Sequence, residues 1–204
     1  MNDGPSSDEL TVWTVGHSNH PLATFLALLA QHRIAALVDV RSSPYCRYAV
    51  HFNKDALEGP VQAAGVKYLF LGHLLGGRAE ADYFYDDQGR VCYDRVAQSA
   101  GFREGIEQLL RGLPAGRTAI MCGEEDPTEC HRRLLIGRVL RGRGVRVLHL
   151  RGDGRQQTED EVAAAEQFRK TKGQRSLFDT EETDPWKSTQ SVLPRRPPPS
   201  SSRR

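Results

Sequence analysis

The sequence predicts one α/β domain, a mainly parallel five-stranded sheet with helices on both faces, followed by a tail that builds no core of its own. Three observations carry this prediction. Short β-branched stretches alternate with amphipathic helical stretches. No tight hairpin signal joins consecutive strands, so crossovers must connect them. And 204 residues suffice for a domain of about 150 residues plus appendages, but not for two full domains.

The first strand is Leu10 to Val15, which ends in Gly16-His17-Ser18-Asn19; Pro21 then opens a helix reaching about Gln31. Ala35 to Val40 forms the second strand, followed by Arg41-Ser42-Ser43-Pro44 and Arg47. A helix from about Lys54 to Ala64 is closed by Gly65 in the C-cap position. Val66 to Leu71 is the third strand and leads into Gly72-His73 and Gly76-Gly77-Arg78. Residues 79–92 read as a loop or lid before a helix from about Tyr93 to Arg111. Thr118 to Met121 is the fourth strand. After it, Asp126-Pro127-Thr128-Glu129 reads as a helix start, with Asp as N-cap and Glu three residues on. That helix runs to about Arg143, Val145 to Leu150 is the last strand, and a fifth helix spans about Glu159 to Lys170. The organisation is therefore a flexible start (residues 1–9), the α/β domain (10–171) and a disordered Pro-, Ser- and Arg-containing tail (172–204).

No run approaches the roughly 18 apolar residues of a membrane span, and the first residues lack the order of a secretion signal. A cytoplasmic protein without membrane association is expected. Its four cysteines should then be free thiols. The net charge of +2 is uneven: residues 168–204 carry nine Lys or Arg against four Asp or Glu, so +5 lies there and −3 on the rest. The folded part thus offers no broad basic surface for nucleic acid.

In a parallel sheet every loop that follows a strand lies at one rim. Those loops hold His17, Ser18, Asn19, Arg41, Ser42, Arg47, His73, Arg78, Cys122, Glu124 and Asp153, which makes that rim the candidate site. In the helix after Pro127, Leu135, Ile136, Val139 and Leu140 form the stripe that faces the sheet, and stepping back along it reaches Arg132. A guanidinium there needs a carboxylate, such as Glu124 or Glu129, or an anionic ligand. Cys130 projects away from the stripe. No metal is expected, because the seven residues between Cys122 and Cys130 exceed zinc-knuckle spacing, although His131 adjoins. The sequence leaves the cofactor unknown.

Five stretches together resemble one prokaryotic family: Thr14-Val-Gly-His17-Ser18-Asn19, Val38-Asp-Val-Arg41-Ser-Ser-Pro44, Phe52-Asn53-Lys54, Leu71-Gly72 with Gly76-Gly77-Arg78, and Met121-Cys122-Gly-Glu124 with Cys130-His131-Arg132. The family is the one described as domain of unknown function 488. The resemblance covers about residues 11–155. It implies a compact α/β domain and no particular reaction.

Three functions are consistent with these residues. The first is an enzyme acting on a nucleotide or nucleic-acid-related substrate. In it Arg41, Arg47, Arg78 and Arg132 hold the anion, Ser18, Asn19 and His131 add polar contacts, and His17 with Glu124 moves protons. The second is a rhodanese-like sulfur carrier using Cys122, disfavoured because the loop after Cys122 is acidic where an anion cradle is needed. The third is a ligand-binding or adaptor module without turnover. In the tail, Gln174 with Leu177 and Phe178 resembles the short peptide with which bacterial DNA-processing proteins dock on the replicative sliding clamp.

Overall fold

The computed structural model describes residues 10–171 and 186–192. All five predicted strands form: β1 (Thr11–Gly16), β2 (Ala36–Asp39), β3 (Lys67–Phe70), β4 (Thr118–Cys122) and β5 (Arg146–Leu150). A sixth, β6 (Gln156–Thr158), was not expected. The sheet order is β3-β2-β4-β1-β5-β6, and all pairings are parallel except that of β6 with β5. Gln156-Gln157-Thr158 is too short and too polar to announce a strand, and it forms because the turn at Gly154, whose φ is +87°, folds the chain back onto β5. No helix among the described residues is long and apolar enough to cross a membrane.

Alternation along each strand sends successive side chains to opposite faces. Val12, Val38, Ile120 and Val147 face a core completed by Phe102, Ile106 and Leu109 of α5 (Ala100–Gly112) and by Leu135, Ile136 and Leu140. Trp13, Leu37, Met121 and Leu148 face a second core completed by Phe25 and Leu29 of α1 (Leu22–Gln31) and by Leu57 and Val61 of α2 (Lys54–Ala63). The chain therefore leaves β1 toward one face and the adjacent β4 toward the other. Where exits diverge in this way, a crevice opens at the carboxyl ends of the strands. Gly16 and Cys122 stand level in the register, and the ladder runs on past them through His17 N–H to the Cys122 carbonyl at 3.0 Å and Ser18 N–H to the Gly123 carbonyl at 2.9 Å. A Cβ on Gly16 would lie 1.8 Å from the Glu124 carbonyl oxygen, so the two loops approach too closely for any other residue there.

Two helices differ from expectation. The single helix foreseen from Tyr93 is divided into α4 (Tyr93–Gln98) and α5 at Ser99, whose extended backbone lets its hydroxyl cap Phe102 N–H. The helix foreseen from Pro127 is only a 3₁₀ turn, Pro127–Glu129, although Asp126 caps it as the sequence indicates. Cys130 is extended, and helix restarts as a π-helical segment, Arg132–Gly137, running into the short α6 (Arg138–Arg141). The break turns Cys130 inward, where it is 1 % exposed, rather than away from the sheet.

Beyond α7 (Glu159–Lys170), Trp186–Val192 lies within the stretch expected to stay disordered but is seated on the domain. Trp186 donates its indole N–H to the Leu134 carbonyl and accepts from Tyr93 N–H; Ser188 exchanges two hydrogen bonds with Val91. Lys187 Nζ reaches Asp86, which also holds the Arg90 backbone amide and side chain. Chiefly the Arg90 amide, then Lys187, brings the Asp86 carboxyl from 3.8 to about 2. A carboxyl lowered on folding stabilises above its unfolded value and ceases to do so as pH falls through the folded one. Urea midpoints should therefore fall between about pH 4 and pH 2, and Asp86→Asn should lower the midpoint at pH 7 while removing part of that acid dependence.

Candidate functional site

A cavity of about 670 Å³ lies at the carboxyl rim of the sheet. Four strand-following segments line it: His17 after β1, Arg41 to Cys46 after β2, Gly77-Arg78 beyond the short α3 (Gly72–Leu75), and Cys122 to Glu124 at the end of β4. Glu129 and His131, Tyr93, and Ser188 to Val192 complete it. The structure thus brings His17, Arg41, Ser42, Arg78, Cys122, Glu124 and His131 together. Ser18, Asn19, Arg47, His73, Arg132 and Asp153 do not line the cavity. Gln174, Leu177 and Phe178 lie outside the described residues.

Arg41 is largely occupied. Its Nε and Nη2 bind the two carboxylate oxygens of Asp39 at 2.9 and 2.6 Å, and its Nη1 donates to His17 Nε2 at 3.1 Å. Asp39, itself fully buried, also accepts from the Arg41 amide and the Tyr68 hydroxyl. Because a carbonyl only accepts, the 2.8 Å contact between His17 Nδ1 and the Ser18 carbonyl places the ring proton on Nδ1. Nε2 is then the acceptor from Arg41. Burial, with Arg41 adding to it, takes the His17 pKa down to about 4, so the ring is neutral at pH 7; it stacks on Phe52 with centroids 4.3 Å apart. His17 and Arg41 therefore form a fixed wall.

Among the described residues Arg132 is the largest fully buried side chain. Its place on the buried stripe predicts a carboxylate or a bound anion as partner. Instead it holds main chain: Nη1 donates to the Glu124 carbonyl, Nη2 to the Glu125 carbonyl at 2.6 Å, and Nε to Thr14 Oγ1 at 3.4 Å. The rest of the acidic loop is anchored too. Glu125 makes a two-pronged ion pair with Arg151 at 2.8 and 2.6 Å, which lowers its pKa. Asp126 caps Thr128 and pairs with Arg169. The exposed Glu124 side chain is left aimed at the rim.

There Glu124 Oε2 accepts from the Cys122 thiol at 2.9 Å and lies 3.2 Å from Cys130 Sγ. His131 Nε2 donates to the Val40 carbonyl at 3.0 Å, so its Nδ1 faces the two sulfurs at 3.6 and 3.8 Å. The hydrogen bond with Cys130 and burial raise the Cys122 pKa well above its ordinary value. Burial acts the same way on Cys130, but the hydrogen bond from Cys122 and the charges of Arg132 and His131 bring its pKa well down. Of the two sulfurs Cys130, which does not line the cavity, is the one favoured as thiolate. Gly77 packs against the His131 ring, where a Cβ would come within 2.7 Å.

Several of these positions escaped the sequence reading. Asp39 had a signal, an acid within an apolar strand. Cys130 was assigned outward by a helix that does not start where its cap suggests. Tyr93, Glu129 and Ser188 to Val192 reach the cavity only through long-range packing. Beneath the rim, Thr14 Oγ1 donates to His149 Nδ1 at 2.8 Å, His149 Nε2 donates to Glu159 at 3.0 Å, and Glu159 pairs with Arg133 at 2.8 Å; no local pattern announces this chain of buried polar groups.

The family described as "Domain of unknown function DUF488" matches residues 21–139, more than half of the chain, and the chain belongs to that family. The matched range excludes the Thr14 to Asn19 stretch, although His17 stands at the same rim. No curated protein and no solved structure matches the chain.

The geometry separates an architectural arginine from one open to solvent. Arg132→Ala should lower unfolding free energy by about 3 kcal/mol, since it leaves two backbone carbonyls without their charged donor. Arg78 makes no side-chain hydrogen bond or ion pair among the described residues, and Arg78→Ala should change stability by less than about 0.5 kcal/mol in the same chemical denaturation experiment.

Proposed function

We propose that this member of the family is an enzyme acting on a nucleotide or nucleic-acid-related substrate at the rim cavity. The observation that carries the reading is the convergence of four loops on one polar cavity, whose volume of about 670 Å³ falls within the roughly 300–1,000 Å³ usual for small-molecule sites. Among the described residues that line the cavity, Arg78 is the cation available for an anionic group, and Ser42 and Ser43 line the same cavity. Arg41 and Arg132 are committed to Asp39 and to backbone carbonyls, so their part is to position His17 and the Glu124 loop. Glu124, exposed and held by its main chain, is the side chain placed to exchange a proton with a bound substrate.

The sulfur-carrier reading has less support. Cys122 is 5 % exposed, it sits against the Glu124 carboxylate, and its raised pKa disfavours the thiolate a carrier needs. A DNA-processing setting rests on the tail. A peptide of residues 170–182 is expected to bind the replicative sliding clamp, and replacing Leu177 and Phe178 by Ala should abolish that binding; equal binding by the altered peptide would remove the link.

The central test is a thermal-shift panel of nucleotides and bases on the full chain, since a ligand of the folded state raises Tm with its occupancy. At least one nucleotide should stabilise the wild type, and Arg78→Ala should weaken its binding by about tenfold or more. Glu124→Gln should keep the ligand and lose turnover; parallel loss of function and ligand affinity would favour the adaptor reading. Absence of any nucleotide-dependent shift would contradict the proposal.

A further inference from the structure

Four donor atoms meet at the floor of the cavity. Cys122 Sγ, Cys130 Sγ and His131 Nδ1 all lie within 4.8 Å of one another. The sulfur-to-nitrogen separations are 3.6 and 3.8 Å, and Glu124 Oε2 is 2.9 and 3.2 Å from the two sulfurs. Around a tetrahedral zinc with bonds of about 2.0–2.3 Å, neighbouring donors stand about 3.3–3.8 Å apart. The two imidazole edges already have that length. The thiol–carboxylate edges are shorter, and a small rotation of the exposed Glu124 side chain lengthens them.

We infer that Cys122, Cys130, His131 and Glu124 form a zinc-class metal site whose fourth corner opens into the rim cavity. Donor chemistry selects the metal: two sulfurs and an imidazole suit zinc and related transition ions, not magnesium or calcium. The histidine is arranged as a ligand, because its Nε2–H is fixed on the Val40 carbonyl and its Nδ1 edge is turned to the sulfurs. Metal-binding histidines are usually oriented in this way by a hydrogen bond from the opposite ring nitrogen. The loop bearing Glu124 is also held in place, by Arg132 through the main chain.

Exposure gives the site a direction. Cys130, Cys122 and His131 are 1, 5 and 9 % exposed, whereas Glu124 is open to solvent. Three buried protein ligands with one accessible position is the arrangement of zinc sites that admit water or substrate, in contrast to closed structural sites. Glu124 is the ligand that a substrate oxygen or a water can displace. The assignment does not depend on which molecule occupies the cavity. The sequence-spacing argument against a metal fails because Gly123 to Glu129 doubles back, so the seven intervening residues return Cys130 to the sulfur of Cys122.

The test is cobalt(II) loading of the full, reduced chain, with no nucleotide present, so its outcome is separate from that of the substrate proposal. One equivalent should bind, with sulfur-to-cobalt charge transfer in the near ultraviolet and the strong visible bands of a tetrahedral ion, and zinc should displace it. Cys122→Ser and Cys130→Ser should each weaken the charge-transfer band and the affinity. Glu124→Gln should retain the equivalent and the charge-transfer band but shift the visible bands. The wild-type result decides even if a cysteine variant fails to fold. Wild-type protein with titratable thiols that takes up no cobalt, or takes it up without sulfur charge transfer, overturns the inference. So does a Cys122–Cys130 disulfide that persists under reducing conditions, or a Cys122→Ser/Cys130→Ser double variant with an unchanged spectrum.

Discussion

The rim of this protein depends on a guanidinium taken out of water. Arg132 is 1 % exposed, and among the described residues it meets no carboxylate; its donors go to the Glu124 and Glu125 carbonyls and to Thr14 Oγ1. Burying such a cation without partners is prohibitive, so its presence obliges the 124–125 main chain to stay where its carbonyls can accept. The same bonds supply partners for carbonyls that a tight loop would otherwise leave unmade. Position and compensation are one interaction here.

Other features follow from that fixed loop. Gly16 must be glycine because the Glu124 carbonyl passes over it, and the carbonyls of Cys122 and Gly123 then continue the β1 ladder to His17 and Ser18. The Glu124 side chain is directed back over the two sulfurs because its main chain is held and its neighbours Glu125 and Asp126 are tied to Arg151 and Arg169. Thr14, which accepts from Arg132, also donates to His149, and through His149 and Glu159 the rim is joined to Arg133 and α7. Changes at the surface of α7 thus have a polar route to the site.

Much of the fold was legible because periodicity and punctuation act locally. All five parallel strands, the Pro21 helix start and the Gly65 helix stop came from patterns a few residues long, and the rim followed from topology. The failures share a cause. Asp126-Pro127-Thr128-Glu129 carries a correct N-cap signal, but tertiary burial of Cys130 ends that helix after one turn. A cap signal fixes where a helix can begin and says nothing of how long packing lets it run. Arg132 was placed correctly on the buried stripe, yet its partners are backbone atoms, which no residue pattern records. Trp186–Val192 was hidden in polar, proline-rich composition, although its tryptophan supplies the apolar surface that docks on the domain.

The picture is of a doubly covered sheet whose central strands end in opposed loops, with one buried arginine holding the β4 loop over β1. Amide hydrogen exchange at His17 and Ser18 tests that claim most directly, because those amides bond to the Cys122 and Gly123 carbonyls just before the clamped residues. Comparing the wild type with Arg132→Lys, which keeps a charge but cannot span both carbonyls, the account predicts faster exchange at His17 and Ser18 with protection of Val12, Leu37 and Leu148 retained. Unchanged protection at His17 and Ser18 in a folded variant would contradict it.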